Sequence, residues 1–118
     1  MQVSFTITGV RNARGMIRGL AFDKERGFPE ERSLAIAEAE TRAVAGSVVL
    51  TFQIPSSHAA FCFFHDEKNR GRIEKNFLGI PKSGVTVSNW NGRGRPKFKN
   101  AYIKVGRSHT AQLKYIFD

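Results

Sequence analysis

The chain has 118 residues, 41% of them hydrophobic, with ten Phe, one Cys and a formal charge of +9. That length suits a single domain over residues 1–118 that buries roughly two thirds of its unfolded surface without staples. One Cys excludes an intrachain disulfide, and no run approaches the ~20 apolar residues of a membrane-spanning helix. The charge is unevenly placed. Residues 1–67 carry 7 Lys/Arg and 8 Asp/Glu, whereas residues 68–107 carry 11 Lys/Arg and one acid. Such asymmetry marks either a polyanion-binding face or a solvated surface that keeps the protein soluble.

Val3, Phe5 and Ile7 alternate with Ser4, Thr6 and Thr8, the pattern of a half-buried strand. Gly9 and residues 12–15 break it. Residues 16–22 form a second strand, apolar on both faces except at Arg18, in which Gly19 signals close packing or a bulge. Residues 23–29 read as a loop. Pro29 followed by Glu30 and Glu31 fits a first helical turn, so a short helix is expected near 29–36 and a strand near 38–44. The Ala-rich run between them has high helical propensity, yet it also alternates as a strand does.

Residues 47–54 carry Val48, Leu50, Phe52 and Ile54 on one face. Residues 59–65 are apolar on both faces, which places that strand centrally in its sheet. A long polar segment, 66–97, follows. Loops of that length in compact domains are either functional or disordered, and Phe77, Leu78 and Ile80 argue for order. Alternation resumes at Ala101, Ile103 and Val105, and again at Ala111, Leu113, Tyr115 and Phe117. About seven short strands, one short helix and no βαβ repeat predict a mainly β protein, two antiparallel sheets packed as a sandwich.

The segments Phe64-His65-Asp66, Asn76-Phe77-Leu78-Gly79-Ile80-Pro81-Lys82, Ser88-Asn89 and Gly92-Arg93-Gly94-Arg95 resemble the bacterial domain-of-unknown-function family numbered 2141. Residues 10–15, Gly27-Phe28-Pro29 and residues 98–105 extend the resemblance over nearly the whole chain. It implies a Greek-key or transthyretin-like β-sandwich and a periplasmic or secreted location. Family members usually carry a signal peptide, so this chain, in which Met1 leads straight into a strand, is expected to be a trimmed form. The residues themselves leave a cytosolic location open. The resemblance implies no activity, because the family is uncharacterised.

Three chemistries compete for the long segment. The first is an oxygen-lined calcium loop, which the resemblance suggests. Asp66 fits its first position and Gly71 its sharp turn, but Lys68 and Arg70 stand where oxygen ligands belong and Phe77 where the closing Glu does. No metal and no cofactor are expected. The second is polyanion binding through Lys68, Arg70, Arg72, Arg93, Arg95 and Lys97. Within this set Arg93-Gly94-Arg95-Pro96-Lys97 matches the core of a minor-groove hook, and Trp90, Phe98 and Tyr102 could stack on bases. Each of these aromatics also has a packing explanation.

The third is catalysis by His65 with Asp66 and Glu67, joined by His58 or His109. Adjacent strand residues face opposite ways, and no nucleophile-elbow or zinc-protease motif is present. The chain also ends in Lys114-Tyr115-Ile116-Phe117-Asp118, without the terminal motif of the transthyretin-like purine-pathway hydrolase. The expected reading is therefore a non-catalytic binding or accessory module of the envelope, with an anionic ligand or polyanion as partner. His65, Asp66, Asn76, Phe77, Gly79, Pro81 and Asn89 are expected to shape the loop, and Cys62 to be a buried small hydrophobe.

Overall fold

The computed structural model describes residues 1–75, 79 and 81–116. Asn76, Phe77, Leu78, Ile80 and Phe117, which the sequence reading assigns to loop anchoring and to the last strand, lie outside the described residues. The described chain is mainly β. Its strands are β1 (Gln2–Val10), β2 (Met16–Phe22), β3 (Ala37–Arg42), β4 (Gly46–Gln53), β5 (His58–Asp66), β6 (Val85–Val87), β7 (Tyr102–Lys104) and β8 (Ser108–Gln112), with one short helix, α1 (Phe98–Ala101).

Two sheets form. One has the order β4-β1-β8, and the other β3-β2-β5-β6, with β7 also on β5. Val3, Phe5 and Ile7 of β1 face Ile17 and Ala21 of β2, Leu50 and Phe52 of β4, and Phe61 and Phe63 of β5 in one core. The rings of Phe5 and Phe61 lie 4.6 Å apart, and those of Phe5 and Phe63 4.8 Å. The alternation that marks each strand is the same alternation that fills the space between the sheets.

Gly19 is a point of close approach. A Cβ there would lie 2.6 Å from Cζ of Phe52 and 3.0 Å from Cδ1 of Phe63. The absent side chain lets two aromatic rings reach the β2 backbone.

Four expectations need correction. The helix near 29–36 is only a 3-10 turn at Arg32–Leu34, between extended Glu31 and Ala35. Pairing with β2 takes the Ala-rich run into β3, where Ala37, Ala39 and Thr41 are half-buried and Glu38, Glu40 and Arg42 exposed. Tertiary pairing there overrides the helical preference of Ala. The helix that does form is α1, where alternation predicts none. The 66–97 segment is not all loop, because Val85–Val87 pairs with β5. Finally, the sheets are not wholly antiparallel: β8 starts at Ser108 and runs parallel to β1, Ser4 opposite Ser108 and Thr8 opposite Gln112.

Candidate functional site

The end of β5 delivers His65 and Asp66 to opposite sides of the sheet, and both are buried. His65 Nε2 lies 2.7 Å from the Arg14 carbonyl oxygen, and Nδ1 lies 2.7 Å from the Tyr115 hydroxyl. A carbonyl only accepts, so Nε2 carries the proton and the Tyr115 hydroxyl donates to Nδ1. That hydroxyl in turn accepts the backbone N–H of Arg11 at 3.1 Å. Burial pushes the Tyr115 phenol up from its ordinary value, against the opposing pull of Arg11. The ring of His65 thus ties the β1–β2 turn to the end of the chain's described part. Both its nitrogens are committed, and none of its surface meets solvent.

Asp66 organises the turn that follows. Its Oδ1 accepts the N–H of Arg70 at 2.8 Å, and its Oδ2 accepts the N–H of Gly71 at 2.7 Å and Nε of Arg18 at 2.7 Å. Burial alone raises the carboxyl pKa, but the Arg18 bond and the two backbone donors outweigh it and hold the group below its ordinary value. Asn69 and Gly71 take positive φ to make the turn, at 54° and 77°. Arg18 also bonds Glu40 and the Asn69 side-chain oxygen. A guanidinium from β2 therefore sits among the oxygens of Asp66, Asn69 and Glu40. Among the described residues no cluster of three His, Cys, Asp or Glu side chains has the arrangement of metal ligands.

Glu67 closes the same end of the molecule. Arg11 binds it through Nε at 3.1 Å and Nη2 at 2.7 Å, and Asn12 donates a further bond. The Arg11 fork is the main cause that lowers its carboxyl pKa to about 2, against partial burial and with help from Asn12. The other two histidines have separate partners. His58 stacks on Tyr102, with ring centroids 5.5 Å apart, and His109 stacks on Phe5 at 5.0 Å.

A second assembly lies on the outer face of the β2–β5 sheet. β5 is apolar on both faces because its outer residues are covered too: Ala60 and Cys62 pack with Val87, Ala101, Phe28, Ile73, Trp90 and Phe98. Burial raises the Cys62 thiol to about 12. Over this layer opens a cleft of about 760 Å³ whose walls include Phe28, Pro29, Trp90, Pro96, Lys75 and Arg95. A neighbouring cleft of about 440 Å³ shares Phe28, Pro29, Arg95 and Pro96 and adds Lys97 and Lys99. A third, of about 340 Å³, reaches the other way from Glu30 and Ile73 to Arg72 and Arg18.

This geometry divides the six cations expected to bind. Arg95 lies at the aromatic cleft, Lys97 at its neighbour and Arg72 at the third cleft, whereas Lys68 and Arg70 belong to the Asp66 turn, where Arg70 pairs with Glu74 at 3.0 Å. Arg93 is exposed, and its carbonyl oxygen accepts Nε1–H of Trp90 at 3.3 Å. The minor-groove-like run is bent rather than extended, with φ of 82° at Gly92 and 66° at Gly94. Among the described residues no ion pair or side-chain hydrogen bond engages Arg72, Arg95, Lys97 or Lys99. Lys75, by contrast, pairs with Glu30.

Of the loop residues, Gly79 and Pro81 line the aromatic cleft, and Pro81 bridges to Lys75. Asn89, at φ 53°, donates to the Asn100 carbonyl oxygen at 2.9 Å. Sequence reasoning missed Phe28, Pro29, Lys75 and Lys99 as cleft residues, and Arg11, Arg18 and Tyr115 as partners of the 65–67 run. The only signal for Arg18 was a lone cation in an otherwise apolar strand.

A family model described as an uncharacterized protein conserved in bacteria (DUF2141) matches residues 5–112. No curated protein and no solved structure matches the chain.

Proposed function

The chain belongs to this uncharacterised bacterial family, and from that premise we propose a non-catalytic binding or accessory module of the bacterial envelope, periplasmic or secreted, on a Greek-key or transthyretin-like sandwich. Its ligand is anionic with an apolar or ring-bearing body, and it is held in the cleft over the outer face of β5. The observation that carries this reading is the pairing of aromatic and proline walls with cations that have no ion-pair partner among the described residues: Phe28, Trp90 and Pro96 beside Arg95, Lys97 and Lys99, in clefts that Glu25 and Glu30 also line. The cleft's size, about 760 Å³, falls within the range of small-ligand sites. Apolar walls supply contact area, and the guanidinium and ammonium groups supply charge-assisted bonds to an anion. The full commitment of both His65 nitrogens speaks for a binding rather than a catalytic role.

The test is titration at near-physiological salt against acidic oligosaccharides, anionic lipid vesicles and duplex DNA. Saturable binding to the first or second, weakened about tenfold or more by Arg95→Ala and by Trp90→Ala, is the expected result. Binding to DNA alone that vanishes with added salt would reduce the cations to non-specific attraction and overturn the reading. Fractionation of cells expressing the intact open reading frame tests the compartment. Recovery only from the cytosol would refute the envelope assignment.

A further inference from the structure

The two sheets touch along one side of the sandwich and then part. Val85 of β6 and Lys114, just past β8, exchange N–H···O=C bonds of 2.9 Å in both directions. Beyond that bridge no ladder joins β6 to β8 among the described residues, and a cleft of about 420 Å³ opens between them. The hydrogen-bond phase of each edge is fixed. Leu113 donates its N–H to the Thr8 carbonyl oxygen and Ser4 donates to that of Arg107. His109, Ala111 and Leu113 therefore bond β1, while Thr110 and Gln112 turn their backbone N–H and C=O outward. On β6, His65 donates to the Gly84 carbonyl oxygen and Ser88 donates to that of Phe61, so Thr86 bonds β5 and Val87 turns outward.

The lining of this wedge is hydrogen-bonding and nearly uncharged. Asn89, Asn91, Thr110 and Gln112 line it together with Trp90, and Lys114 is the only charged residue among the described ones there. The two asparagines are held in complementary roles. Asn89 uses its amide N–H on the Asn100 carbonyl oxygen at 2.9 Å, which leaves its Oδ1 as an acceptor. Asn91 uses its Oδ1 on the Arg93 N–H at 2.9 Å, which leaves its NH₂ as a donor. Among the described residues no side-chain hydrogen bond engages Thr110 or Gln112. Donors and acceptors together beside an indole suit a polyhydroxylated ring, whose hydroxyls do both and whose C–H groups pack on an aromatic face. An anion would meet a single cation here. A peptide strand would meet the outward backbone of Val87, Thr110 and Gln112 alone, too little for a ladder.

We propose that the wedge between β6 and β8 binds an uncharged sugar unit. It continues the aromatic cleft across β6, because Thr86, Val87 and Trp90 line both. Resting on the anionic-ligand reading of that cleft, this makes the ligand an acidic oligosaccharide in which a charged unit has a neutral neighbour. Charge sorts the two units. The aromatic cleft holds Arg95 and Lys75, whereas the wedge offers amides, hydroxyls and outward backbone groups. The acid lies at Arg95, and the neutral unit lies on the other side of Trp90 against Asn91 and Gln112.

Trp90 is the chain's single tryptophan, so its emission reports a ligand in either cleft. Titrations in near-physiological salt, read by that emission and by calorimetry, compare a tetrasaccharide alternating glucuronate with N-acetylglucosamine, an all-acid tetragalacturonate and neutral tetra-N-acetylglucosamine. The alternating probe binds about tenfold tighter than the all-acid one. Gln112→Ala and Thr110→Val remove that advantage and leave the all-acid probe unaffected, whereas Arg95→Ala weakens both acidic probes. Amide shifts of the unmodified protein cover a variant that misfolds: the alternating probe moves Val87, Thr110 and Gln112, and shifts confined to residues 94–97 would overturn the subsite. An alternating probe that binds no tighter than the all-acid one, or that binds both wedge variants as it binds the parent, overturns the subsite and leaves the aromatic cleft standing. Neutral binding that Gln112→Ala abolishes and Arg95→Ala does not touch, with no binding of the acidic probes, supports the wedge and overturns the anionic reading instead. Failure of all three probes overturns the sugar assignment.

Discussion

Replacing Asp66 by Asn keeps the shape of the β5 end and removes its charge. In the parent, the carboxylate satisfies three donors: the N–H groups of Arg70 and Gly71, and Nε of Arg18. An amide has one oxygen to offer. With the amide oxygen in the Oδ2 position, the Gly71 N–H and Arg18 Nε keep their acceptor, the Arg70 N–H faces an NH₂ group, and the Arg18 bond loses the charge of the carboxylate. An orphaned buried donor costs about 1–3 kcal/mol, and a lost charge-assisted bond about 1.5–3 kcal/mol. Arg18 retains Glu40 and Asn69, and its side chain is 15% exposed, which softens the second cost.

The sum is about 3 kcal/mol, large against the 5–15 kcal/mol that typically holds a domain together. Urea unfolding of parent and Asp66→Asn, followed by tryptophan fluorescence, measures it as a drop in midpoint at constant slope. A double-mutant cycle with Arg18→Met isolates the pair and is expected to show coupling of about 1–3 kcal/mol. A cost below about 1 kcal/mol, or no coupling, would mean that the turn holds its shape without the Arg18–Asp66 pair, and would refute the reasoning.

Three further outcomes follow from the same structure. Glu67, with its carboxyl lowered to about 2 from an ordinary 4.5, contributes stability that is fully present above the ordinary value and is lost as pH falls toward 2. Its share is about 2–3 kcal/mol, and Glu67→Gln flattens the acid limb of a stability–pH profile by that amount. Gly19→Ala forces a methyl against the Phe52 and Phe63 rings and lowers stability by about 1–3 kcal/mol, read from chemical denaturation; a neutral result would show that the rings give way freely. Cys62, buried with its thiol raised to about 12, stays unlabelled by a thiol reagent in the native protein at neutral pH and reacts on unfolding; rapid labelling of the native protein would contradict the closed layer over β5.

The parts of the fold that the sequence makes legible are those with local periodicity. Val3, Phe5 and Ile7, the Val48–Ile54 alternation and the two-faced apolar run of β5 each announce a strand and its buried side. Val85–Val87 is too short to show a period, and the Ala-rich run satisfies two periods at once, so pairing with β2 decides it. The site divides in the same way. Asp66 and Gly71 are five residues apart, and their turn chemistry can be read directly. Arg18–Asp66 and His65–Tyr115 are contacts between distant segments, and nothing local encodes them. Charge counting puts the cationic excess in the second half of the chain, but only the folded geometry separates cations with an acidic partner, such as Arg70, from those with none among the described residues, such as Arg95.

The parallel pairing of β1 with β8 puts the first strand of the chain at the centre of its sheet and one of its flanking neighbours close to the other end, Ser4 beside Ser108. At roughly 5–20 residues per second of synthesis, β1 and β4 spend several seconds as an open hairpin-like pair before β8 emerges to complete the layer. Closing that contact carries a loop-entropy cost set by nearly the whole chain, the signature of a high-contact-order, slow-folding topology. Until β8 docks, the nascent sheet is open on both sides.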